Sequence, residues 1–331
     1  MIAASVAVIG SGLSGIACAR QLAGAGLQPR VFEYQRAAGG RLATRRFESA
    51  AFDHGAQYVT VTDPGFRQII ENARAAGVVG RWQPQWPRAG RQGELWVGTT
   101  GMSSLPRWLA QDLDVEYGAR IIRLERGRQG WALMDDRGSA HVDFDAVVLA
   151  LPAPAAATLA TPHTALADRV RAVPVAPCWA AMVAFDRPLD GVPDADFSDD
   201  AVLPWFARDG SKPGREMPHG WVLHAGAEWS RTAFDQPAAR VLEALLERFS
   251  ERLGRVLPRV VLSDCHRWRH ARVERPLGEP FLWDRAAGIG FCGDWCLDAR
   301  AEAAWISGGA LGTAVSQARL ATGSGKMQGS R

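Results

Sequence analysis

The opening of the chain places the strongest constraint on its fold. Residues 3–9 form a small apolar run without polar alternation, which is typical of a strand covered on both faces in a parallel sheet. Three closely spaced glycines follow, and residues 16–23 then carry apolar side chains at helical spacing. A second strand at 30–34 completes a predicted βαβ unit of about 30 residues.

The three glycines, Gly10, Gly12 and Gly15, have the spacing of a phosphate-binding loop. The first permits a tight turn, the second lets the backbone approach a pyrophosphate, and the third lets helix and strand pack closely. Glu33 closes the second strand, where it can accept hydrogen bonds from both ribose hydroxyls of an adenosine and would repel a 2′-phosphate. We therefore predict a dinucleotide site. The alternative is that the glycines only form a structural turn and that Glu33 only faces solvent at the end of its strand.

Composition restricts the class of protein. The 331 residues predict roughly two domains, and the balance of 47% apolar and 22% charged residues excludes a disordered or collagenous chain. The net charge is only +3 and the arginines are interleaved with acids, so no nucleic acid is expected as a partner. The sequence has no apolar run of membrane-spanning length, and its five scattered cysteines indicate reduced thiols. We expect a cytoplasmic protein that has no membrane partner.

Two further segments favour FAD over NAD. Gly39 and Gly40 let the backbone bend around a phosphate, to which Arg41 can add a charge-assisted contact. A short strand near the end of the chain finishes in Gly293-Asp294, which places a carboxylate where it can bind the hydroxyls of a ribityl chain. The helix that follows has an N-terminal end suited to a flavin C2 oxygen, which gains negative charge on reduction.

Together these segments resemble the FAD-dependent amine oxidase superfamily. The resemblance rests on VAVIGSGLSG…FE…GGR, DHGAQY, Gly101-Met102, VVLALP and GFCGDW…EAAWISG. The segments FDHGAQYVT, WVLHAGAEWS, HRWRHARV and CGDWC resemble the renalase-like branch in order and spacing. The resemblance implies an α/β fold, in which a Rossmann-like FAD-binding domain of the glutathione-reductase and amine-oxidase type is joined to an α+β substrate domain.

The expected domains are discontinuous. We place the FAD-binding domain at 1–58, 99–155 and 286–322, the substrate domain at 59–98 and 156–285, and a disordered tail at 323–331. The resemblance implies a non-covalent FAD, with Ile121 or Ile122 near the adenine. The full set of expected cofactor contacts is Gly10, Gly12, Leu13, Ser14, Gly15, Glu33, Gly40, Arg41, Gln57, Ile122, Leu151, Gly293, Asp294, Ala303 and Ala304.

The expected chemistry follows from what a flavin accepts. A hydride passes to flavin N5 and the electrons then pass to O2, while the protein positions the donor. Many amine-oxidising relatives carry a lysine near N5; here the lysines are Lys212, in a Gly/Pro loop, and Lys326, in the tail, and neither is expected in that role. The renalase-like branch implies instead that 2- or 6-dihydro isomers of NAD(P)H are the donors, giving NAD(P)⁺ and H2O2.

Two other functions stay open at this point. One is a flavin-dependent amine oxidase or desaturase, and the other is a non-catalytic dinucleotide-binding flavoprotein. In each case we expect a monomer or homodimer.

Four residues are candidates for the flavin or substrate face. Gln57 and Tyr58 follow DHG and are expected beside the flavin, although Tyr58 is equally compatible with the core. His224 lies in an apolar strand, where a core histidine is the commoner alternative. Trp268 is suited to stack on a nicotinamide or to wall the pocket, and Trp205 is a weaker candidate.

Metal and covalent-flavin sites are not expected. His266 and His270 are four residues apart, a metal spacing on a helix, but their segment alternates as a strand does. Cys292 and Cys296 form neither a zinc knuckle nor a redox pair by spacing. We therefore predict no metal, and a flavin that is not attached through either cysteine.

Overall fold

The computed structural model describes residues 4–48, 50–87, 93–215 and 219–325. The chain divides into two compact units, the first made of Met1–Gly40, Pro106–Pro174 and Val273–Arg331 and the second of Arg41–Leu105 and Val175–Arg272. These bounds fall at 40, 105, 174 and 272, not at the expected 58, 98, 155 and 285. The assignment of FAD to one domain and substrate to the other stays a prediction.

The strands of the described residues are, in chain order, β1 (Ser5–Ile9), β2 (Gln28–Glu33), β3 (Thr44–Arg46), β4 (Ala51–Asp53), β5 (Val79–Trp82), β6 (Leu95–Gly98), β7 (Asp114–Tyr117), β8 (Ile121–Arg126), β9 (Trp131–Asp135), β10 (Ala140–Phe144), β11 (Ala146–Leu149), β12 (Val175–Phe185), β13 (Ala195–Phe197), β14 (Trp205–Arg208), β15 (Gly220–His224), β16 (Val260–Val273), β17 (Leu282–Asp284) and β18 (Ile289–Phe291).

The α-helices of the same residues are α1 (Leu13–Gly24), α2 (Pro64–Ala75), α3 (Ser104–Leu109), α4 (Ala153–Ala160), α5 (Leu166–Arg171), α6 (Ala227–Thr232), α7 (Ala238–Leu253) and α8 (Ala301–Gly325). Short 3₁₀ turns occur at Gly40–Leu42, Asp209–Ser211 and Asp294–Cys296. Within the described ranges, no helix combines the length and the apolar character needed to cross a lipid bilayer.

A six-stranded sheet forms the centre of the first unit. Its order is β17-β18-β11-β1-β2-β7, and β1 lies between β11 and β2 with both pairings parallel. The edge strand β17 runs antiparallel to β18. Residues 6–9 of β1 and all of β11 are buried, which explains the uninterrupted apolar run of the sequence. The predicted Rossmann-like arrangement is confirmed.

Glycines of α8 allow this helix to lie unusually close to α1. A Cβ at Gly308 would stand 2.0 Å from the main-chain oxygen of Ser14, and one at Gly312 would stand 2.9 Å from that of Cys18. Leu311, between them, is completely buried. The last helix is thereby packed against the helix that follows the phosphate loop.

A five-stranded sheet forms the centre of the second unit, in the order β13-β14-β15-β12-β16. Its apolar face packs against α7, whose Val241, Leu245 and Phe249 recur every four residues and are buried. Phe206 and Trp221 of the sheet contact the Phe249 ring with centroids 5.0 and 5.5 Å away. The second unit thus has the α+β composition that the resemblance implies.

Three segments differ from the sequence-based expectation. The stretch 81–97 is rich in Trp, Pro and Arg, which predicts an irregular segment, but it contains parts of the antiparallel pair β5 and β6. The segment WVLHAGAEWS (221–230) opens with apolar residues that predict one strand, but it divides at Gly226 into β15 and α6. A Cβ at Gly226 would lie 2.1 Å from a main-chain oxygen. The expected tail begins inside α8, since its small residues continue the helix to Gly325. Residues 326–331, including Lys326, lie outside the described residues.

Candidate functional site

The phosphate loop is open at its middle glycine, Gly12, and closely packed at the other two. Gly10 has a φ of +105°, and a Cβ at Gly15 would lie 1.9 Å from the Gly10 oxygen, so neither position accepts a side chain. A Cβ at Gly12 would meet nothing within 4 Å. Gly40, whose φ is +53°, lies close by, since its Cβ would stand 3.4 Å from the Gly12 Cα atom. The open side of the loop is therefore bounded by backbone.

Helix α1 begins beside this open space. Gly12 is its N-cap residue and provides no side-chain hydrogen bond to the helix. Leu13 and Ser14 form the first turn and are buried, and the N–H groups of a first turn have no intrahelical acceptors. The start of α1 thus offers main-chain donors and the positive end of a helix dipole to a pyrophosphate.

Glu33 ends β2 next to the loop and is 4% exposed. Its Oε2 accepts hydrogen bonds from the Ser11 N–H at 2.9 Å and the Ser11 hydroxyl at 2.8 Å, and its Oε1 accepts one from the Gln35 N–H at 2.8 Å. A carboxylate can accept about four hydrogen bonds, so capacity remains for a ribose hydroxyl. The geometry is compatible with the predicted adenosine contact, which stays a prediction.

A β-bulge distinguishes the two isoleucines considered for the adenine contact. Ile121 is buried and pairs with Asp135 of β9, and the register then shifts before Arg123. Ile122 lies in this shift, and the residue is 53% exposed. A bulge takes one residue out of the regular ladder, so Ile122 is the better placed of the two for a main-chain bond to a ligand.

The end of β18 brings a buried carboxyl group to the same edge of the sheet. Asp294 lies three positions beyond Phe291, the last residue of β18, and is 5% exposed. Around it, the Gly293 N–H donates to the Ser307 hydroxyl at 3.0 Å, and the Trp295 indole N–H donates to the Leu151 carbonyl at 3.0 Å. These bonds join the ends of β18 and β11 to α8 and hold Asp294 where a ribityl chain is predicted.

The first turn of α8 separates the two predicted alanine contacts. The Ala304 N–H donates to the Arg300 carbonyl at 3.2 Å and so closes the first turn. Ala303, which is 3% exposed, precedes it, in the turn whose N–H groups have no intrahelical acceptors. Ala303 is therefore the better candidate for a contact with a flavin oxygen, and the bond of Ala304 argues against its N–H in that role.

These features fit FAD as a set. Glu33 is the last residue of β2, and Gly12 and Asp294 follow β1 and β18, so all three lie at the carboxyl ends of parallel strands of one sheet. Dinucleotides bind along that edge in open α/β sheets. The residues present would hold the adenosine at Glu33, the pyrophosphate at α1 and the ribityl chain at Asp294.

In the second unit, the turn after β4 is built on Arg41. A Cβ at Gly55 would lie 2.1 Å from the Arg41 carbonyl oxygen, which accepts the Ala56 N–H at 2.9 Å. The Arg41 guanidinium donates to the Ala271 carbonyl of β16 at 3.1 Å. The close approach explains why glycine is required in DHGAQ, and the predicted phosphate contact of Arg41 stays a prediction.

Two predicted candidates meet at one main-chain oxygen of this turn. The Trp268 Nε1–H donates to the His54 carbonyl at 2.9 Å, and His224 Nε2 lies 3.2 Å from the same oxygen. The Trp268 ring also stacks on the His54 ring, with centroids 5.0 Å apart, and the His266 ring lies edge-on at 4.4 Å from Trp268. His54, which sequence reasoning did not single out, thus brings His224 and Trp268 together.

Burial keeps these imidazoles neutral. It lowers the pKa of His54 to about 3, an effect that His266 and Arg45 increase. It also lowers the pKa of His224 to about 4, although the bond to the His54 carbonyl acts in the opposite direction. The pKa of His266 falls below its ordinary value for the same reason. At neutral pH the cluster offers hydrogen bonds without a net charge.

Lys212 lies in an irregular segment after the 3₁₀ turn Asp209–Ser211, as its Gly/Pro neighbours led us to expect, but it is buried. Its side chain is completely buried, and its ammonium group bonds Asp209 at 2.8 Å, Asp53 at 3.1 Å and the Gln57 side-chain oxygen at 3.1 Å. Arg215 pairs with the same two carboxyl groups. A buried lysine is tolerated here because opposite charges and hydrogen bonds surround it.

The two carboxyl groups of this network differ. Burial by itself raises the pKa of Asp53, but Lys212, Arg215 and the Met102 N–H hold that pKa below its ordinary value. Burial raises the pKa of Asp209, and the neighbouring Asp53 charge adds to the effect. Asp53 is therefore the more strongly stabilised anion of the pair.

Gln57 uses both ends of its side-chain amide within the turn. Its Nε2 donates to the main-chain oxygens of Asp53 and Gly55, the latter at 3.1 Å, while its oxygen accepts from Lys212. Gln57 as a whole is 6% exposed. The predicted contact of Gln57 with a flavin is thus left to its main chain.

Tyr58 and Trp205 belong to an aromatic cluster. The Tyr58 ring lies 6.1 Å from Trp82 and 6.0 Å from Trp205, and Trp205 lies 5.8 Å from Trp86. A cavity of about 150 Å³ adjoins Trp82 and Trp86. The cluster is compatible with either the core or the pocket role foreseen for Tyr58.

Metal-ligating residue types also meet in the first unit. Possible ligand atoms of Glu116, Asp135 and His141 all lie within 4.8 Å of one another. Arg30 pairs with Glu116 at 2.7 Å, and Arg137 contacts Asp135 at 3.3 Å. Because these guanidinium groups already balance the carboxylates, the cluster has the character of an ion network.

Comparison with known proteins supports this organisation. The family model described as flavin containing amine oxidoreductase matches residues 73–310, and that of an NAD(P)-binding Rossmann-like domain matches residues 8–72. The fold is similar to that of a candidate protoporphyrinogen oxidase from Exiguobacterium sp. 255-15, with a TM-score of 0.74 and 12% identity over 96% of this chain and 99% of that one. It is also similar to putrescine oxidase with bound putrescine, with a TM-score of 0.70 and 13% identity over 94% and 98%. Since the first family model covers well over half of its length, the chain belongs to the flavin-containing amine oxidoreductase family and is an FAD-dependent oxidoreductase.

Proposed function

We propose that the protein is a renalase-like oxidase that takes a hydride from 2- or 6-dihydro isomers of NAD(P)H and uses O2 as the final acceptor. FAD binds non-covalently in the first unit, and the second unit binds the donor. Bound FAD supplies the hydride acceptor at N5 and passes electrons to O2. One observation carries the choice of donor: the Trp268 indole and the neutral His224 imidazole, both half-buried, meet at the carbonyl oxygen of the buried His54.

A dihydronicotinamide suits such an environment. Its ring is uncharged, and the lone pair on the ring nitrogen expels the hydride, so no general base is needed. By contrast, a protonated amine would need a carboxylate partner, and Asp53 and Asp209 are already paired with Lys212. The lowered pKa values of His54 and His224 make these imidazoles weak bases, which agrees with a donor that needs no base.

The chain's own residues then have positioning roles. Trp268 provides a planar surface on which a nicotinamide can stack, and its orientation is held by the bond to His54. His224 provides a neutral imidazole at the same oxygen. In the first unit, Glu33 selects an adenosine ribose without a 2′-phosphate for the cofactor.

A flavin-dependent amine oxidase or desaturase is the second candidate. The family description favours it, and so does the aromatic cluster around Tyr58 and Trp205, because aromatic faces attract ammonium groups. This candidate requires the amine to bind without a carboxylate from Asp53.

Anaerobic reduction of the FAD-loaded protein separates the two candidates. We expect the visible absorbance of the oxidised flavin to bleach rapidly with 2- and 6-dihydro isomers of NADH and slowly with putrescine or benzylamine. Rapid bleaching by an amine and none by the dihydro isomers would reject the proposal in favour of the second candidate. Acid denaturation should release the yellow cofactor into the supernatant; flavin that stays with the precipitate would contradict non-covalent binding.

A further inference from the structure

We infer that Lys212 is a positioning residue for the reaction, acting on the turn 53–57 through Gln57. The inference rests on the proposed function, because it concerns how the second unit presents its donor-binding rings. The relevant contacts all lie inside the second unit and form one continuous chain of hydrogen bonds.

The chain of hydrogen bonds begins at the buried ammonium group of Lys212. Lys212 has three N–H donors, and the structure gives it three acceptors, on Asp53, Asp209 and Gln57. A lysine ammonium has no further donor, so the group is saturated. It is held in one place by two carboxyl groups and transmits that position to the Gln57 amide.

Gln57 passes the constraint to the backbone. With its oxygen bound to Lys212, its NH2 group must point the opposite way, and there it bonds the carbonyl oxygens of Asp53 and Gly55. These two residues flank His54. Fixing the carbonyls on both sides restricts the rotation of the peptide planes around His54 and so sets the direction of its own carbonyl.

The chain of hydrogen bonds ends at the two rings that contact the His54 carbonyl. Trp268 and His224 both bond the His54 oxygen, so a rotation of this oxygen moves or releases both. Displacement of about 1 Å in a reacting group can cost about 100-fold in rate. Lys212 therefore influences the rate without needing to touch flavin or donor.

Arg215 makes the inference testable. It pairs with the same two carboxyl groups, so replacing Lys212 leaves Asp53 and Asp209 with one cation while the bond to Gln57 disappears. Lys212→Met is thus expected to fold with reduced stability. Lys212→Arg restores a cation and a donor, and should recover part of the rate.

The first experiment is a double-mutant cycle on the limiting rate of anaerobic flavin reduction by the dihydronicotinamide donors. We expect Lys212→Met and Gln57→Leu each to lower this rate by about 10- to 100-fold. The double variant should keep at least about one third of the rate of the slower single variant, because both substitutions remove the same hydrogen bond between Lys212 and Gln57. Arg248→Met, which breaks an ion pair with Asp200 elsewhere in the unit, serves as the control and should react at the unaltered rate.

The second experiment needs no turnover. Hydrogen exchange of the Trp268 indole N–H, assigned by its loss in Trp268→Phe, should accelerate about tenfold or more in Lys212→Met. The indole N–H of Trp179, which donates to the Ala233 carbonyl, should exchange at the same rate in both proteins. Should Lys212→Met not fold, the same exchange measurement on Gln57→Leu and Lys212→Arg carries the test.

The outcomes separate the two hypotheses. If the unaltered, FAD-loaded protein is not reduced by any dihydro isomer, the proposed function fails, while faster Trp268 exchange would still support the positioning role. The positioning inference is wrong if the unaltered protein reacts and Lys212→Met reacts within twofold of its rate. It is also wrong if the rate reductions of Lys212→Met and Gln57→Leu multiply in the double variant. Unchanged Trp268 exchange in the folded variants would overturn it as well.

Discussion

The Trp268 indole bonds the His54 carbonyl at 2.9 Å and also stacks on the His54 ring at 5.0 Å. One residue of the DHGAQ turn thus orients the tryptophan in two independent ways, through its backbone and through its side chain. The hydrogen bond fixes the edge of the indole and the stacking fixes its plane. The turn and the strand β16 that carries Trp268 are therefore coupled in geometry.

Replacement of Trp268 by phenylalanine removes the hydrogen bond to His54 and reduces the size of the stacked ring. Trp268→Phe keeps an aromatic plane but loses the donor, so we expect a stability loss of about 1 kcal/mol and slower flavin reduction, with FAD retained. Stopped-flow reduction and chemical denaturation measure the two effects. Trp179→Phe loses an equivalent bond in the apolar core and is expected to lose stability only; equal kinetic effects in both variants would contradict a special role for Trp268.

The buried imidazoles predict sensitivity to acid. His54 and His224 have pKa values of about 3 and about 4 in the folded protein, against about 6.5 in an unfolded chain. Between these values the unfolded state binds more protons, so the free energy of unfolding falls as pH drops from 6.5 and is already at its full value above it. We expect a loss of about 6 kcal/mol between pH 7 and pH 4 from these two groups together, about 3 kcal/mol from each.

Denaturant titrations at several pH values check this expectation. His54→Gln removes one of the two groups, so its stability should depend less steeply on pH, by up to about 1.4 kcal/mol per pH unit. An unaltered slope in this variant would show that His54 is not held neutral in the native protein.

The fold of the first unit can be predicted from the sequence more completely than that of the second. The β1 run, the glycine spacing and Glu33 are local signals, because strand burial and helix starts act over a few residues. The network around Lys212 has no such signal: its partners Asp53 and Gln57 are 159 and 155 positions away. Pro213 and Gly214 beside it favour a loop, and only tertiary contacts reveal that the lysine is buried.

His54 was missed for a related reason. It stands in a turn between a short strand and Gly55, where no periodicity separates a buried side chain from an exposed one. Its importance comes from a main-chain oxygen, which every residue has, and from two donors on β15 and β16. Pairing of distant strands, which single-sequence patterns do not specify, creates this relationship.

Glu33 is expected to control cofactor retention. Glu33→Gln replaces an acceptor of the Ser11 N–H and hydroxyl by an amide, half of which is a donor. We expect FAD affinity to fall about 10- to 100-fold, as measured by flavin fluorescence on titrating the deflavinated protein. Glu116→Gln on the neighbouring strand β7, which loses an ion pair with Arg30, should bind FAD normally. Equal affinity in the Glu33 variant and the unaltered protein would refute the adenosine assignment.

Two adjacent glycines of α8 should respond to alanine in opposite directions. At Gly308 the new methyl group would lie 2.0 Å from the Ser14 carbonyl oxygen, and because that oxygen belongs to the backbone of α1, the two helices must separate. We expect a stability loss of about 1–3 kcal/mol, typical of overpacking, and weaker FAD binding, since Ser14 lies in the first turn of α1.

At Gly309 the methyl group would meet nothing within 4 Å, so Gly309→Ala should instead gain about 0.5–1 kcal/mol from the lower backbone entropy of the unfolded chain. Chemical denaturation of the two variants with and without FAD gives both signs in one experiment. The two positions are adjacent in one helix, so the gain in helix propensity from glycine to alanine is the same in both variants. Stabilisation by Gly308→Ala, or equal effects at both positions, would mean that α8 does not depend on this close approach to hold the start of α1.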